Sequence, residues 1–333
     1  MAATYKDIQK MTGLSLSTIS NYFNGISVRD KNRKAIEQAI DKLDFRINEY
    51  ARGLKSRKSR TVGLLIPELN STFHTTIMGE VCDVLRTKGY SAIVCDCHQK
   101  KEVEREALTF LLDKMVDGVI TIPLDKTGKH LQLAAERGIP VVLVDRLVTD
   151  FKTDAVLLDN TGAGALAAQE FVQKGHRNIG MICGEQAIYT MRNRRLGFTE
   201  YLEKHDITPC EDWLICTEFS MDGGYQAAKR MLSGASRPTA LFTANYELTL
   251  GAVMAINELG IRIPEDVSLI GFDNLPLAQI VKPRLTMIVQ PMRDFAVCAA
   301  DIMLRRLSDD PPRGNQIIEL SAQMVPGNSV LQL

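Results

Sequence analysis

Several things are scarce in this chain. No apolar run in its 333 residues approaches the roughly 20 needed to span a bilayer. The opening, MAATYKDIQK, lacks the basic-then-apolar order of a secretory leader. A cytoplasmic protein without membrane contact is the expectation. Cysteines number seven, an odd and scattered set that does not form a disulfide framework and fits a reducing compartment. A nucleophile–base pair, a metal cluster and a phosphate loop are missing at any recognisable spacing, so no catalytic residue, metal or cofactor is assigned.

Net charge is also missing, but only in sum. Residues 1–60 carry 13 Lys/Arg against 6 Asp/Glu and the remainder 27 against 34, so a head of about +7 precedes a body of about −7. Such asymmetry suggests a basic module for a polyanion joined to an acidic body.

From residue 61 onward, short apolar runs alternate with helical patterns: TVGLLIP, SAIVCD, DGVITIP, PVVLVD, DAVLLD, NIGMICG, TALFTAN and VSLIGFD. Continuous apolar runs of this length read as strands covered on both faces, and their alternation with helices implies parallel βα units. Repetition of Gly-bounded turns (RGIPVVLVD, QKGHRNIGMICG, ELGIRIPEDVSLIGFD) suggests two similar subdomains with a break near residue 160. The fold class is an α/β body of two parallel-sheet subdomains behind an all-α head. Ligands of open parallel sheets sit beyond the carboxyl ends of strands, which gathers Asp145, Asn245 and Asp273 at one cleft. That geometry favours a hinged clamp for a small molecule.

The head has a different period. Tyr5, Ile8 and Met11 are spaced for a helix that stops at Gly13. Leu16, Ile19, Tyr22 and Phe23 define a second helix, opened by Ser15 as N-cap and closed by Gly25. A third runs from about Asp30 to Leu43, with Ala35, Ile36, Ala39, Ile40 and Leu43 on one face. Three short helices with a tight turn between the first two describe a helix-turn-helix module, whose second helix would read DNA bases. The stretch NEYARGLKSRKSR, residues 48–60, then sets Tyr50, Ala51 and Leu54 on one helical face within a basic run. Isolated helices shorter than about 12 residues are marginal in water, so this one is expected to form on DNA.

The head TYKDIQKMTGLSLSTISNYFNG, the segment NEYARGLKSRKSRTVGLLIP, and in the body DNTGAGALAAQEFVQKGHRNIGMICG and IPEDVSLIGFDNLPLAQIVKPRLTMIVQP together resemble the lactose-repressor/galactose-repressor family of bacterial transcription regulators. The resemblance covers essentially the whole chain. It implies a homodimer whose helix-turn-helix heads occupy the major groove of two half-sites of operator DNA. Hinge helices would join them to a periplasmic-binding-protein-like body, where an effector in the cleft shifts the hinges. The implied organisation is a head over 1–46 and a hinge helix and linker over 47–60. An N-terminal effector subdomain would span 61–160 plus about 291–317, and a C-terminal one 161–290 plus about 318–333.

By position in the family, Leu16, Ser17 and Asn21 correspond to base-contacting residues, while Ser15, Thr18, Ser20 and Asn24 suit caps, packing and phosphate contact. Packing within the helix pair is the alternative for Leu16. In the hinge, Asn48, Ala51 and Leu54 match the family spacing, and Leu54 resembles the apolar wedge that kinks a duplex. Arg52, Lys55, Arg57 and Lys58 would meet phosphates. Ile47 stands where the family often has Pro, which leaves the start of that helix less constrained.

The family's pocket falls on Phe73, His74, Asp145, Thr190, Arg194, Phe219, Asn245, Asp273 and Gln290. Aromatic plates with carboxylates and a guanidinium suit a sugar or related polyol. An Arg194–Asp273 ion pair bridging the subdomains is the structural alternative. Tyr246 departs from the usual Asp beside Asn245. Ile188 replaces an Arg that a corepressor-type relative carries six positions before its RxxGF motif, so a purine ligand does not transfer. CDCH, Cys95 to His98, has metal-type donors but no second cluster. Cys95 and Cys97 fall on one side of a strand as small hydrophobes. GAGALA, residues 162–167, fits a loose dinucleotide pattern but equally the start of a close-packed helix.

The reading that follows is an effector-controlled transcription regulator, most simply a repressor. The alternative is an enzyme acting on a small polar substrate in the same cleft. A sugar-transport receptor is disfavoured by the basic head and the missing leader. No leucine heptads follow the body, so a dimer is expected rather than a tetramer. Asn21 stands where the family usually has Arg. Arg suits guanine and Asn pairs bidentately with adenine, a difference of roughly 1–3 kcal/mol. Site selection from a random DNA library with the purified protein is expected to return adenine at the matching half-site position, and recovery of guanine there in every selected site would exclude this reading.

Overall fold

A computed structural model describes residues 3–23, 26–45, 58–234, 236–273 and 275–333. It divides into a unit over Met1–Ser59 and a unit over Arg60–Leu333. In the first, α1 (Tyr5–Thr12), α2 (Leu16–Phe23) and α3 (Asp30–Leu43) form a small bundle. The Thr4 backbone N–H donates to the Asp7 carboxylate at 2.9 Å, an N-terminal box that satisfies an orphan donor. At the other end Gly13, at φ 69°, takes the left-handed cap and its N–H donates to the Gln9 carbonyl at 2.8 Å. Ser15 Oγ accepts from the Thr18 N–H at 3.2 Å at the start of α2. Ile8, Ile19, Ile36 and Ala39 fill the core, closed by stacking of Tyr5 on Phe23, with centroids 5.0 Å apart, and by Phe45 tilted against Phe23 at 5.3 Å. The expected close of α2 at Gly25 and the hinge over 47–57 lie outside the described residues.

The second unit holds two six-stranded sheets. The first unites β1 (Thr61–Ile66), β2 (Ser91–Asp96), β3 (Gly118–Thr121), β4 (Val141–Val144), β5 (Asp154–Leu158) and β11 (Ile317–Leu320), in the order β11-β5-β4-β3-β1-β2. The second unites β6 (Ile179–Gly184), β7 (Leu214–Thr217), β8 (Ala240–Thr243), β9 (Ser268–Phe272), β10 (Thr286–Val289) and β12 (Gln323–Val325), in the order β12-β10-β9-β8-β6-β7. The two orders are the same pattern repeated. All pairings are parallel except β10 with β12. Interior strands β1, β3, β4, β5, β6, β8 and β9 are buried nearly throughout, while β2, β7, β11 and β12 at the edges are half exposed.

The chain crosses between the sheets three times. It passes from β5 into α7 (Asn160–Gln173), returns from β10 into α12 (Met292–Arg306), and crosses again between β11 and β12. Helix α12 packs on α4 (Thr72–Thr87) and the first sheet. Because β11 pairs with β5 over Ile317–Leu320, the last crossing follows Leu320. That corrects the expected changeover at about 317: a strand of alternating exposure at a sheet edge carries little apolar signal. Asp154 fixes this segment, accepting from Arg306 Nε at 2.6 Å and Nη2 at 2.7 Å and from the Gln316 N–H at 2.7 Å. Among the described residues no helix is long and apolar enough to cross a membrane.

The GAGALA segment is the start of α7, with the Asp159 carboxylate accepting from the Gly162 N–H at 2.7 Å. It packs on α8 (Tyr189–Glu203) so closely that a Cβ on Gly164 would collide with the Arg194 carbonyl, and one on Gly197 with that of Thr161. Backbone meets backbone here, as in a close-packed helix pair. Overpacking costs about 1–3 kcal/mol or more. Gly197→Ala is therefore expected to lower the thermal unfolding temperature measurably. Gly79→Ala, on an exposed helix position with open space around it, should leave the temperature unchanged or raise it.

Candidate functional site

Every residue expected in the cleft follows the carboxyl end of a strand. Phe73 and His74 open α4 after β1, and Asp145 follows β4. Thr190 and Arg194 lie on α8 after β6, and Phe219 follows β7. Asn245, Asp273 and Gln290 follow β8, β9 and β10. His74, Asp145, Thr190, Arg194, Asn245, Asp273 and Gln290 are all buried, an unusual density of polar groups for an interior. Phe73 and Phe219 are half buried against the core.

The two sheets build their parts alike. Asp145, at φ 69°, and Asp273, at φ 58°, both take the left-handed conformation that non-glycine residues rarely adopt. Each comes directly after the fourth strand of its sheet, and each backbone N–H donates to the following strand, to Val156 at 2.9 Å and to Ile288 at 2.7 Å. Strained backbone of this kind clusters at ligand sites. The Asp273 carboxylate accepts from the Gln290 N–H at 3.1 Å and Nε2 at 2.7 Å. Burial raises its pKa, against the lowering by Arg194 and Gln290. Gln290 Oε1 is buried and has no hydrogen-bond partner among the described residues.

Arg194 is not a bridging ion pair with Asp273, since both belong to the second subdomain. Its Nε donates to Asn160 Oδ1 at 2.8 Å and its Nη1 to the Ala244 carbonyl at 2.6 Å, while the guanidinium lies 3.7 Å from the centroid of the Phe272 ring. Burial pulls it down to about 10, so it stays charged at neutral pH. Asn245 caps α10 (Tyr246–Glu258), accepting from the Leu248 N–H at 2.9 Å and donating to Glu247 at 2.7 Å. Burial also raises Glu247, with Glu68 and Asp273 adding to the effect.

Four neighbours were not read from the sequence. Arg146 meets Asp145 at 3.2 Å, Asn160 and Phe272 hold Arg194, and Glu247 holds Asn245. Arg146 and Asn160 directly follow strand-end residues, a signal present in VVLVDR and VLLDN. Glu247 sits on a helical first turn and has no such mark. An open groove of about 320 Å³ includes Arg146 in its lining, but none of the nine residues expected in the cleft. It is lined from the first subdomain by Asp125, Arg146 and Leu147 and from the second by Ala187, Ile188 and Tyr189.

In the head, Leu16 is 40% exposed, and Ser17 and Asn21 are also exposed, while Ser20 is half buried. Leu16 thus points outward rather than packing in the helix pair. Asn24 and the hinge residues Asn48, Ala51, Arg52, Leu54 and Lys55 lie outside the described residues. Cys95 and Cys97 pack with Ile93 in one cluster, and burial pushes Cys97 up to about 12. Among the described residues no group of metal-binding side chains is assembled.

Known proteins match this arrangement. Residues 168–330 match the periplasmic binding protein-like domain family. The HTH-type transcriptional repressor PurR of Edwardsiella ictaluri is 33% identical over 332 residues, covering 98% of this chain and 97% of its own. Among solved structures, the Lac repressor dimer bound to operator and the anti-inducer ONPF superposes with a TM-score of 0.85 at 26% identity, covering 99% of this chain and 100% of that one. A complex of the transcriptional regulator CelR with cellobiose gives 0.73 at 26% identity, covering 98% and 99%. The head and two-sheet body are those of a transcription regulator, not an enzyme. The chain belongs to the lactose-repressor/galactose-repressor family.

His74 is itself buried. Burial, then the Arg146 guanidinium, lowers its pKa from 6.5 to about 4. Between those values the unfolded chain binds the proton and the folded chain does not, so stability falls as pH drops through this window. The loss from pH 7 to 5 is on the order of 2 kcal/mol. Denaturant titrations of the wild type and His74→Gln at both pH values should show a smaller pH-dependent loss in the variant.

Proposed function

We propose that the chain is a sequence-specific DNA-binding repressor whose operator affinity is set by a small polyhydroxylated molecule, a sugar or sugar derivative, held between the two subdomains. The observation that carries this is the convergence of seven buried polar residues at the strand ends of two repeated sheets. Among them Gln290 Oε1 is an acceptor still to be satisfied. Neutral hydroxyls suit such a lining, because they can donate to Gln290 and Asp273 and accept from Asn245 or Thr190 without adding a net charge to bury. Phe73 and Phe219 supply flat apolar surface for a ring. The likeness to a cellobiose-bound regulator agrees with this class.

On the DNA side, exposed Leu16, Ser17 and Asn21 form the reading edge of α2, with Ser20 and Asn24 toward the backbone. Asn48, Ala51, Arg52, Leu54 and Lys55 act as the hinge that orders on the operator, and two chains pair so that two heads meet two half-sites. Regulation needs a coupling of about 1–3 kcal/mol between cleft and hinge. A thermal-shift screen of sugars and phosphosugars is expected to give a ligand that raises the unfolding temperature. Asp273→Asn should weaken the shift. The same ligand should change operator affinity, in a mobility-shift assay at fixed salt, by roughly 5–150-fold. A ligand that stabilises the protein but leaves operator affinity unchanged would refute the regulatory reading.

A further inference from the structure

Two thiols are brought together in the second sheet for which neither the cleft nor the head has a use. Cys183 on β6 and Cys216 on β7 are register partners on adjacent parallel strands, and their sulfurs are 3.3 Å apart. Neighbouring strands are about 4.8 Å apart, inside the Cα separation of roughly 4.4–6.8 Å that a disulfide accepts. The two are unequal. Cys183 is buried and is contacted by Gln186 Nε2 at 3.4 Å, whereas Cys216 is exposed and lies 3.2 Å from Arg195 Nη1. The thiol of Cys183 as hydrogen-bond partner and the Arg195 guanidinium bring Cys216 down to about 6, and the same contact with burial pushes Cys183 up. A solvent-facing thiolate beside a cation, with a protonated thiol touching it from behind, is the arrangement of an attacking and a resolving cysteine.

We propose that Cys183 and Cys216 form a reversible redox pair that reacts with hydroperoxides. The Cys216 thiolate attacks the distal oxygen of a hydroperoxide, breaking the O–O bond. The sulfur is oxidised to a sulfenic acid, and the leaving alkoxide or hydroxide takes a proton from water. Cys183 sulfur then attacks the Cys216 sulfur, the S–S bond forms, and the departing hydroxide leaves as water with the Cys183 proton. A thiol reductant restores both groups by exchange. The other cysteines show less of this geometry: Cys97 is buried, and Cys210 is exposed but has no sulfur neighbour comparable to Cys183. The pair also sits just before Gly184, where an added Cβ would lie 2.9 Å from the Phe219 ring, so the bond would close directly beside the wall that carries Phe219.

The test uses the full reduced chain at neutral pH, treated with stoichiometric hydrogen peroxide, alkylated and mapped by peptide mass spectrometry. The expected product is a Cys183–Cys216 peptide pair two hydrogen masses lighter, lost again on dithiothreitol treatment. In Cys183→Ser the reaction should stop at Cys216 as a sulfenic acid trapped by dimedone. Arg195→Met, which keeps the packing of the stem, should slow disulfide formation severalfold, and an unchanged rate would remove the guanidinium from the scheme. Oxidation of Cys210 while Cys183 and Cys216 both remain alkylatable would overturn the proposal, as would dimedone labelling of Cys183 in Cys216→Ser at the wild-type rate.

Discussion

A fully enclosed guanidinium organises the second half of the body. Removing a cation from water costs several kcal/mol even after relaxation; Asp273 and Asp145 favour the charge of Arg194, but among the described residues neither forms a direct ion pair with it. The compensation comes from two hydrogen bonds worth about 1.5–3 kcal/mol each, to Asn160 and the Ala244 carbonyl, and from the Phe272 face, worth about 2 kcal/mol when desolvated. These partners come from three places: the crossing between the sheets, the end of β8 and the end of β9. Losing the guanidinium would leave all three without a common centre. The glycine contacts between α7 and α8 are what bring Asn160 within reach of Arg194, because Gly164 lies directly against the Arg194 backbone.

That dependence explains what could and could not be read from residues alone. Most interior strands announced themselves, because a strand covered on both faces must be apolar at every position; β10, TMIV, is interior and buried but was not among the runs read. VVLV, AVLL and IGMICG leave little choice. Three edge strands escaped for the complementary reason: LICT, IIEL and QMV are half exposed and could pass for loop, whereas SAIVCD, at the other edge of the first sheet, kept enough apolar residues to be read. The expected changeover at about 317 falls at one of them, Ile317–Leu320. In the head, the apolar face from Ala35 to Leu43 marked α3 and its end, since a three-helix bundle has one core and each helix offers one face to it.

The cleft was legible in position more than in wiring. The carboxyl ends of strands can be located once the strands are, and Asp145, Asn245 and Asp273 follow from that rule. What spacing does not show is how buried polar groups are shared. Arg194 and Asp273 look like a natural ion pair in sequence, yet Asp273 is held by Gln290 and Arg194 by an amide, a carbonyl and a ring. Pairing of that kind is decided by which side chains burial forces together, and the partners lie 34 and 50 residues from Arg194 along the chain.

The triple crossing between the sheets has a consequence for how the protein is made. Neither sheet is built from one continuous stretch: β5 waits for β11, and Asp154 for Arg306, 152 residues later. At about 5–20 residues per second, synthesis of that interval takes roughly 8–30 seconds. For that time an apolar strand edge emerging from the ribosome has no neighbour. The first sheet is complete only once Leu320 has been made, so a nascent chain stalled before the last strands would leave the β5 edge unpaired.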